Sequence, residues 1–386
     1  MSPFRWYMPT RLYFGEDALE KLGDLPLPGQ KALLVTGAGG SSRRLGYLEK
    51  VLDLLKENAC EAVVFDKISP NPVLEQVDEG ARLGREEGCD FVVGLGGGSS
   101  LDASKSIAFM LNNEGSYWDY MPGPTGKRKI RKHPAKPIVA LPTTSGTGSE
   151  TDPWTVITRT QSREKLGWGC DSTFPQLAIV DPTLMLSVPP DITAMTGMDA
   201  FFHAVEAYLA NCHQPGCDAL ALDVVARITR WLPKAVHNPK DLEARKEMAW
   251  AATEAGICES LSSCISHHSL EHALSAFHPN LPHGAGLSLL SLAYFSSLLP
   301  SVPKRMANLA QTMGQEAKAE AFLLGLEKLI AEVGLAGLKL SDYGITPEEF
   351  PALAENALNV MGSLFCWTPM EQDEDVLVHI LQKAWR

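Results

Sequence analysis

Between Lys31 and Pro189, short apolar runs alternate with amphipathic stretches. Ala32-Leu33-Leu34-Val35-Thr36, Ala62-Val63-Val64-Phe65, Asp90-Phe91-Val92-Val93, Pro137-Ile138-Val139-Ala140-Leu141 and Leu177-Ala178-Ile179-Val180 read as strands. Between them, Leu45 to Leu55, Val73 to Glu87 and Ser104 to Leu111 carry apolar residues at helical spacing. Strands and helices alternating in this way predict a parallel sheet with helices on its faces, and ligands beyond the carboxyl ends of the strands. The character changes near Asp181-Pro182. From Pro190 onward the pattern is helical, over about 191–210, 217–235, 241–264, 286–299, 304–317, 319–333 and 372–385. The expectation is an α/β domain over residues 1–187 and an all-helical domain over 188–386.

A chain of 386 residues suits two cores, because single cores seldom grow beyond about 250–300 residues. The net charge of −12 argues against nucleic acid or an anionic membrane as partner. No apolar run approaches the ~18 residues of a membrane span, and the N-terminus lacks a secretory pattern. The eight cysteines (60, 89, 170, 212, 217, 258, 264 and 366) form no C-x-x-C pair, which suits reduced thiols in a cytoplasmic protein.

Three polar segments interrupt the α/β pattern. Gly94 to Lys105, containing Gly96-Gly97-Gly98-Ser99, lies where a strand turns into a helix, so backbone N–H groups and the helix dipole favour an anion such as pyrophosphate. Read blandly, it is a tight turn that binds nothing. The first strand ends at Gly37, followed by Ser41, Ser42, Arg43 and Arg44, which suit a phosphate. A loop with two solvated arginines fits the same residues, and Asp66 at the end of the second strand is the contrary signal. Leu141 to Glu150 packs hydroxyls and glycines into a loop suited to ribose or phosphate, or into a generous turn.

The helical half carries a metal signal. Asp199 and His203 are four apart on one helix face, and so are His268 and His272. His283 follows in Pro282-His283-Gly284. Three histidines and a carboxylate form a plausible set for Fe²⁺ or Zn²⁺.

With these residues in hand, the chain resembles the iron-containing (group III) alcohol dehydrogenases. The matching features run in family order: Pro70-Asn71-Pro72, Gly96-Gly97-Gly98-Ser99 with Asp102 and Lys105, Leu141 to Glu150, Gly197-Met198-Asp199 with His203, and Pro282-His283-Gly284. The resemblance implies a Rossmann-like N-terminal dinucleotide-binding domain and a helical metal- and substrate-binding domain (the dehydroquinate synthase-like fold), with the active site between them. It implies Asp199, His203, His268 and His283 as metal ligands, and Gly97, Gly98 and Ser99 at the pyrophosphate. Asp102, Thr143, Thr144 and Thr147 would line the nicotinamide and ribose, and Lys165 would face the cofactor. The family's third histidine usually lies fourteen residues before that of Pro-His-Gly. Here that position is Ser269, so a longer loop at Phe277 to Leu281 makes His268 the ligand, ahead of His267.

Gly37 stands where NAD-preferring members commonly carry an acidic residue, which favours NADP over NAD. The implied reaction is metal-dependent hydride transfer between nicotinamide C4 and a small alcohol or aldehyde, with His272 relaying the proton, in a protein expected to be a homodimer. Trp154, Phe277 and Trp367 are candidates for the substrate pocket or for core. The alternatives are a dehydroquinate synthase-like lyase using NAD and Zn²⁺, disfavoured by few basic residues near the histidines, and a non-catalytic nucleotide-binding relative.

Overall fold

The apolar runs form a single parallel sheet in a computed structural model that describes residues 3–385. Its strands are β1 (Arg11–Phe14), β2 (Lys31–Gly37), β3 (Glu61–Ile68), β4 (Phe91–Gly96) and β5 (Ile138–Pro142). An antiparallel hairpin, β6 (Thr155–Arg159) and β7 (Glu164–Trp168), comes before the last strand, β8 (Leu177–Val180). The order is β1-β8-β5-β4-β2-β3, with every neighbour parallel. Four short helices follow the strands: α1 (Ser41–Arg44), α2 (Tyr47–Glu57), α3 (Leu74–Glu86) and α4 (Gly98–Leu111). Successive strand residues point to opposite faces. Leu34 and Val93 therefore meet Val51 and Leu55 of α2, while Leu33, Val35 and Val92 meet Ala81 of α3 and Ile107 of α4. Both faces are buried, which is why these strands read as unbroken apolar runs.

The order reverses between β2 and β4. One connection leaves β2 for β3 at the edge, and the next returns to β4 on the other side. A crevice opens there, beyond Gly37 and Gly96.

The second half comprises α5 (Pro190–Leu209), α6 (Pro215–His237), α7 (Leu242–Leu261), α8 (Ser266–Phe277) and α9 (His283–Leu298). It closes with α10 (Pro303–Thr312), α11 (Ala319–Glu332), α12 (Phe350–Val360) and α13 (Glu374–Ala384). Helix α5 is central, buried at every residue from Gly197 to Leu209, as expected of a helix apolar on all sides. Among the described residues no helix is long and apolar enough to cross a membrane.

The two halves are joined by the polar loop after β5. Gly148 and Gly256 of α7 pass so closely that a Cβ on Gly256 would lie 2.1 Å from the Gly148 carbonyl oxygen, and Gly148 itself has φ +67°. Around this contact Thr151 Oγ1 donates to Thr253 O at 2.9 Å and Thr253 Oγ1 to Glu150 at 2.8 Å. Hydroxyls that suggested ligand contacts thus also fasten the loop to α7.

One buried acid makes stability depend on pH. Burial, and then the nearby Asp223, push the Glu254 carboxyl up to about 8 from an ordinary 4.5, against the opposing pull of Arg227. A raised carboxyl stabilises the fold fully below pH 4.5, and that contribution is lost as pH rises through 8. Glu254→Gln should therefore gain on the wild type as pH rises from 5 to 8, ending a few degrees more heat-stable. Thermal melts across that range check this, and a gap that does not change with pH would remove Glu254 as the cause.

Candidate active site

Helix geometry and a turn bring four donors together. Asp199 and His203 stand one turn apart on α5, His268 lies in the first turn of α8, and His283 is the first residue of α9. The Nε2 atoms of His203, His283 and His268 lie 3.6, 3.4 and 3.9 Å from Asp199 Oδ1. One donor atom from each of the four residues fits within 4.8 Å of all the others. Asp199 Oδ1 and His268 Nε2 are buried without a hydrogen-bond partner among the described residues. Orphaned buried polar atoms are costly, and a divalent cation would satisfy this set with ligands of the right kind.

Two carboxylates hold the outer ring nitrogens. Glu206 Oε1 accepts from Nδ1 of His268 and from Nδ1 of His267, both at 2.7 Å, while Oε2 accepts from the Ile265 amide at 2.8 Å. Glu271 accepts from His283 Nδ1. A proton fixed on Nδ1 leaves the Nε2 lone pairs of His268 and His283 facing inward. His267 is different. Its Nε2 donates to Leu287 O at 3.0 Å, so both ring nitrogens are engaged and His268 is the histidine turned toward the donors.

The charges around the cluster pull in different directions: burial alone would lower His268, but Cys264, Glu206 and Asp199 raise it well above the ordinary histidine value, holding a proton that a bound cation would displace. Burial alone would raise the Asp199 carboxyl, but the surrounding His203, His283 and His268 hold it down at about 2. Burial first, and the Lys165 ammonium second, push His272 and His283 well below the ordinary histidine value.

These donors open into a cleft of about 460 Å³ whose other wall is the carboxyl end of the sheet. Of the residues singled out in the sequence, the cleft gathers Gly98, Ser99, Asp102, Thr144, Thr147, Lys165 and His272 beside the four donors. Helix α4 begins at Gly98, not at Ser104; the Ser100 and Leu101 amides turn back to Gly97 O at 3.0 and 3.2 Å, and with no side-chain cap among the described residues the Gly98 and Ser99 amides are left to face an anion. Gly96, Gly97 and Thr143 sit just behind, with the Thr143 amide donating to Gly96 O at 2.9 Å. Gly37 adjoins α4: a Cβ there would meet Ser100 Oγ at 3.8 Å.

Some side chains do other work. Both Asp102 oxygens are occupied, by Ser149 Oγ at 2.7 Å and the Val156 amide at 2.9 Å, so this carboxylate braces the hairpin. The buried Ser42 hydroxyl is paired with Thr36 at 3.0 Å, whereas Ser41 is exposed. Lys165 Nζ lies 2.8 Å from Ser275 Oγ and 3.5 Å from Glu271, tying β7 to α8 behind His283. Trp154 and Trp367 line the cleft, while Phe277 packs against the helical core under the Arg163 guanidinium.

Glu206 and Glu271 went unassigned in the sequence. The signal was their spacing, three residues beyond His203 and His268, which puts each on its ligand's helix face.

Comparisons with known proteins follow the same division of the chain. Residues 9–182 match the protein-family model "Iron-containing alcohol dehydrogenase". Residues 193–385 match "Fe-containing alcohol dehydrogenase family, C-terminal". A 1,3-propanediol dehydrogenase of Citrobacter freundii is 34% identical over 391 residues, covering 99% of each chain. An NAD-dependent methanol dehydrogenase of Bacillus methanolicus is 34% identical over 361 residues, 91% of this chain and 92% of that one. The crystal structure of an archaeal halo-thermophilic alcohol dehydrogenase from a Red Sea brine pool matches with a TM-score of 0.95 at 32% identity, covering 100% of this chain and 99% of that one.

Proposed function

The chain belongs to the iron-containing alcohol dehydrogenase family, and from that premise we propose that it interconverts small alcohols and aldehydes with NADP(H), using a divalent ion held by Asp199, His203, His268 and His283. The observation that carries the reading is the four-donor cluster, with two orphaned atoms, in the cleft reached by the uncapped end of α4. When bound, the ion supplies Lewis acidity to the substrate oxygen, and the nicotinamide carries the hydride. Glu206 and Glu271 keep the Nε2 lone pairs of His268 and His283 aimed inward. The Gly98 and Ser99 amides of α4 hold the dinucleotide's pyrophosphate. His272 lines the cleft with Nδ1 free of any partner among the described residues, and its neutral ring passes the substrate proton toward solvent.

The NADP preference rests on charge. Gly37 offers no carboxylate at the end of β2, and Arg43 lies 3.3 Å from Glu49 and 3.5 Å from Asp66. Arg43 thus offsets Asp66, the acid that would otherwise repel a 2′-phosphate. The test is reduction of short aldehydes by protein reconstituted anaerobically with Fe²⁺, with NADPH and with NADH. Faster turnover with NADPH, abolished by chelation, supports the reading; faster turnover with NADH would overturn the cofactor assignment.

A Cβ on Gly37 meets only ordinary contacts, the nearest being Ile68 O at 3.6 Å, so Gly37→Asp should fold normally. The new carboxylate should cut kcat/KM for NADPH by about 10–100-fold, the scale of a like-charge clash, and spare NADH. An equal loss for both cofactors would place Gly37 away from the 2′-position.

A further inference from the structure

Six of the chain's 34 lysines and arginines fall within ten residues, Lys127 to Lys136, and no acid stands among them. The net charge of −12, which spoke against an anionic partner, is an average over the whole chain. At the ~8 Å range of screened charges the local balance decides. Among the described residues Lys127 alone of the six is ion-paired, with Asp119 at 2.8 Å, while Arg128 and Lys129 hydrogen-bond to the Pro122 and Glu114 carbonyl oxygens. The segment is a tied loop. The Lys129 amide donates to Asp119 O at 2.8 Å, and the Lys132 and His133 amides share Asn113 Oδ1, both at 3.2 Å. Ile130 and Arg131 form the tip between those anchors, and Ile130 is 86% exposed. A cavity of about 440 Å³ opens beside the tip, lined by Arg85, Lys129, Lys132 and His133, with Glu114 its one acid.

We propose that this loop docks the protein on a bilayer surface rich in anionic phospholipid, with headgroup phosphates on the cations and Ile130 entering the boundary with the acyl chains. Like charges crowded together repel one another, and an anionic surface turns that cost into attraction. The apolar tip decides which anion. Nucleic acid would neutralise the lysines and arginines but leave Ile130 in water, whereas a bilayer takes both the charge and the side chain. The loop stands apart from the chemistry. Helix α4 begins at the cleft with Gly98 and ends at Leu111, two residues before the loop's anchor at Asn113, which is about 20 Å along a helix of that length. An occupant of the loop therefore need not touch the cleft.

The experiment is co-sedimentation of the full chain with vesicles of phosphatidylcholine alone and of phosphatidylcholine mixed equally with phosphatidylglycerol, at low and at physiological salt. The wild type should pellet with the mixed vesicles only, and less so as salt rises. Arg131→Glu should lower the partition coefficient by about 30-fold, since one attractive charge becomes a repulsive one. Ile130→Ser should lower it by about fivefold, the loss of one partly inserted apolar side chain. Both side chains are exposed, so the melting temperatures of the two variants should match the wild type. A wild type that stays in solution with mixed vesicles at low salt overturns the proposal. So does an unchanged partition for Ile130→Ser, which would mean a general attraction of cations to anions. Release from the vesicles by inorganic phosphate at constant ionic strength would put free phosphate, not lipid, at the loop. Preference for a DNA duplex over mixed vesicles in direct competition would make nucleic acid the partner. Either result overturns the proposal as well.

Discussion

Asp199→Ala should lower kcat/KM for aldehyde reduction by at least about 10³-fold, because the several kcal/mol a Lewis-acidic ion contributes depend on keeping that ion. Asp199 is the only carboxylate in the four-donor set, and the Nε2 atoms of three histidines surround its Oδ1. Without it the site has three neutral donors and no charge to oppose the cation's. The metal-free fold should lose something too, because the histidines that hold the Asp199 carboxyl at about 2 make its charge a stabilising one. The metal-free variant should melt below the metal-free wild type, and added Fe²⁺ or Zn²⁺ should raise the wild-type melting temperature alone. Elemental analysis, melts with and without metal, and aldehyde reduction together decide it. A variant that keeps its metal and most of its activity would remove Asp199 from the ligand set.

The elements that could be read in the sequence are those whose surroundings are uniform. Strands β2, β4, β5 and β8 are buried on both faces, so composition alone marked them. β1 is a four-residue edge strand bonded only to β8, too short and too exposed to show alternation. Hairpin β6–β7 was hidden for another reason. It borders the cleft, and its polar residues are satisfied by tertiary partners, as when Thr125 Oγ1 and its amide reach Glu164 at 2.5 and 3.2 Å. Helix α8 reads Ser-His-His-Ser-Leu-Glu-His, a polar sequence that is nevertheless buried, because the site consumes the polarity. The donor types and their helical spacing were legible. His268 came ahead of His267 only through the family resemblance and its longer loop at Phe277 to Leu281; in physical terms the choice depends on where α7 stops. α7 ends at Leu261, and the turn through Ile265 lets α8 begin with His268, not His267, facing Asp199.

Glu206 should then be the most sensitive position that touches neither metal nor substrate. It is fully buried and accepts from three donors: both Nδ1 atoms of His267 and His268, and the Ile265 amide. Burial alone would raise its carboxyl, yet the two histidines hold it far below the ordinary range, the sign of a charge that the fold is built around. Glu206→Gln keeps the volume but turns one oxygen into an N–H, leaving buried donors facing a donor. Removing one partner of a buried charged network costs about 3–5 kcal/mol, so the metal-free variant should melt well below the wild type. With His268 no longer fixed in its Nδ1–H form, metal affinity should also fall about 10–100-fold. The contrast with Asp199→Ala is the informative part. One substitution abolishes metal binding outright, while the other only weakens it through His268, so the two profiles separate a residue that binds the ion from one that prepares the site. A Glu206→Gln protein with wild-type stability but weakened metal binding would mean that the carboxylate orients His268 without supporting the fold. Wild-type metal affinity in that variant would show that the Glu206 contact does not set the geometry of the site.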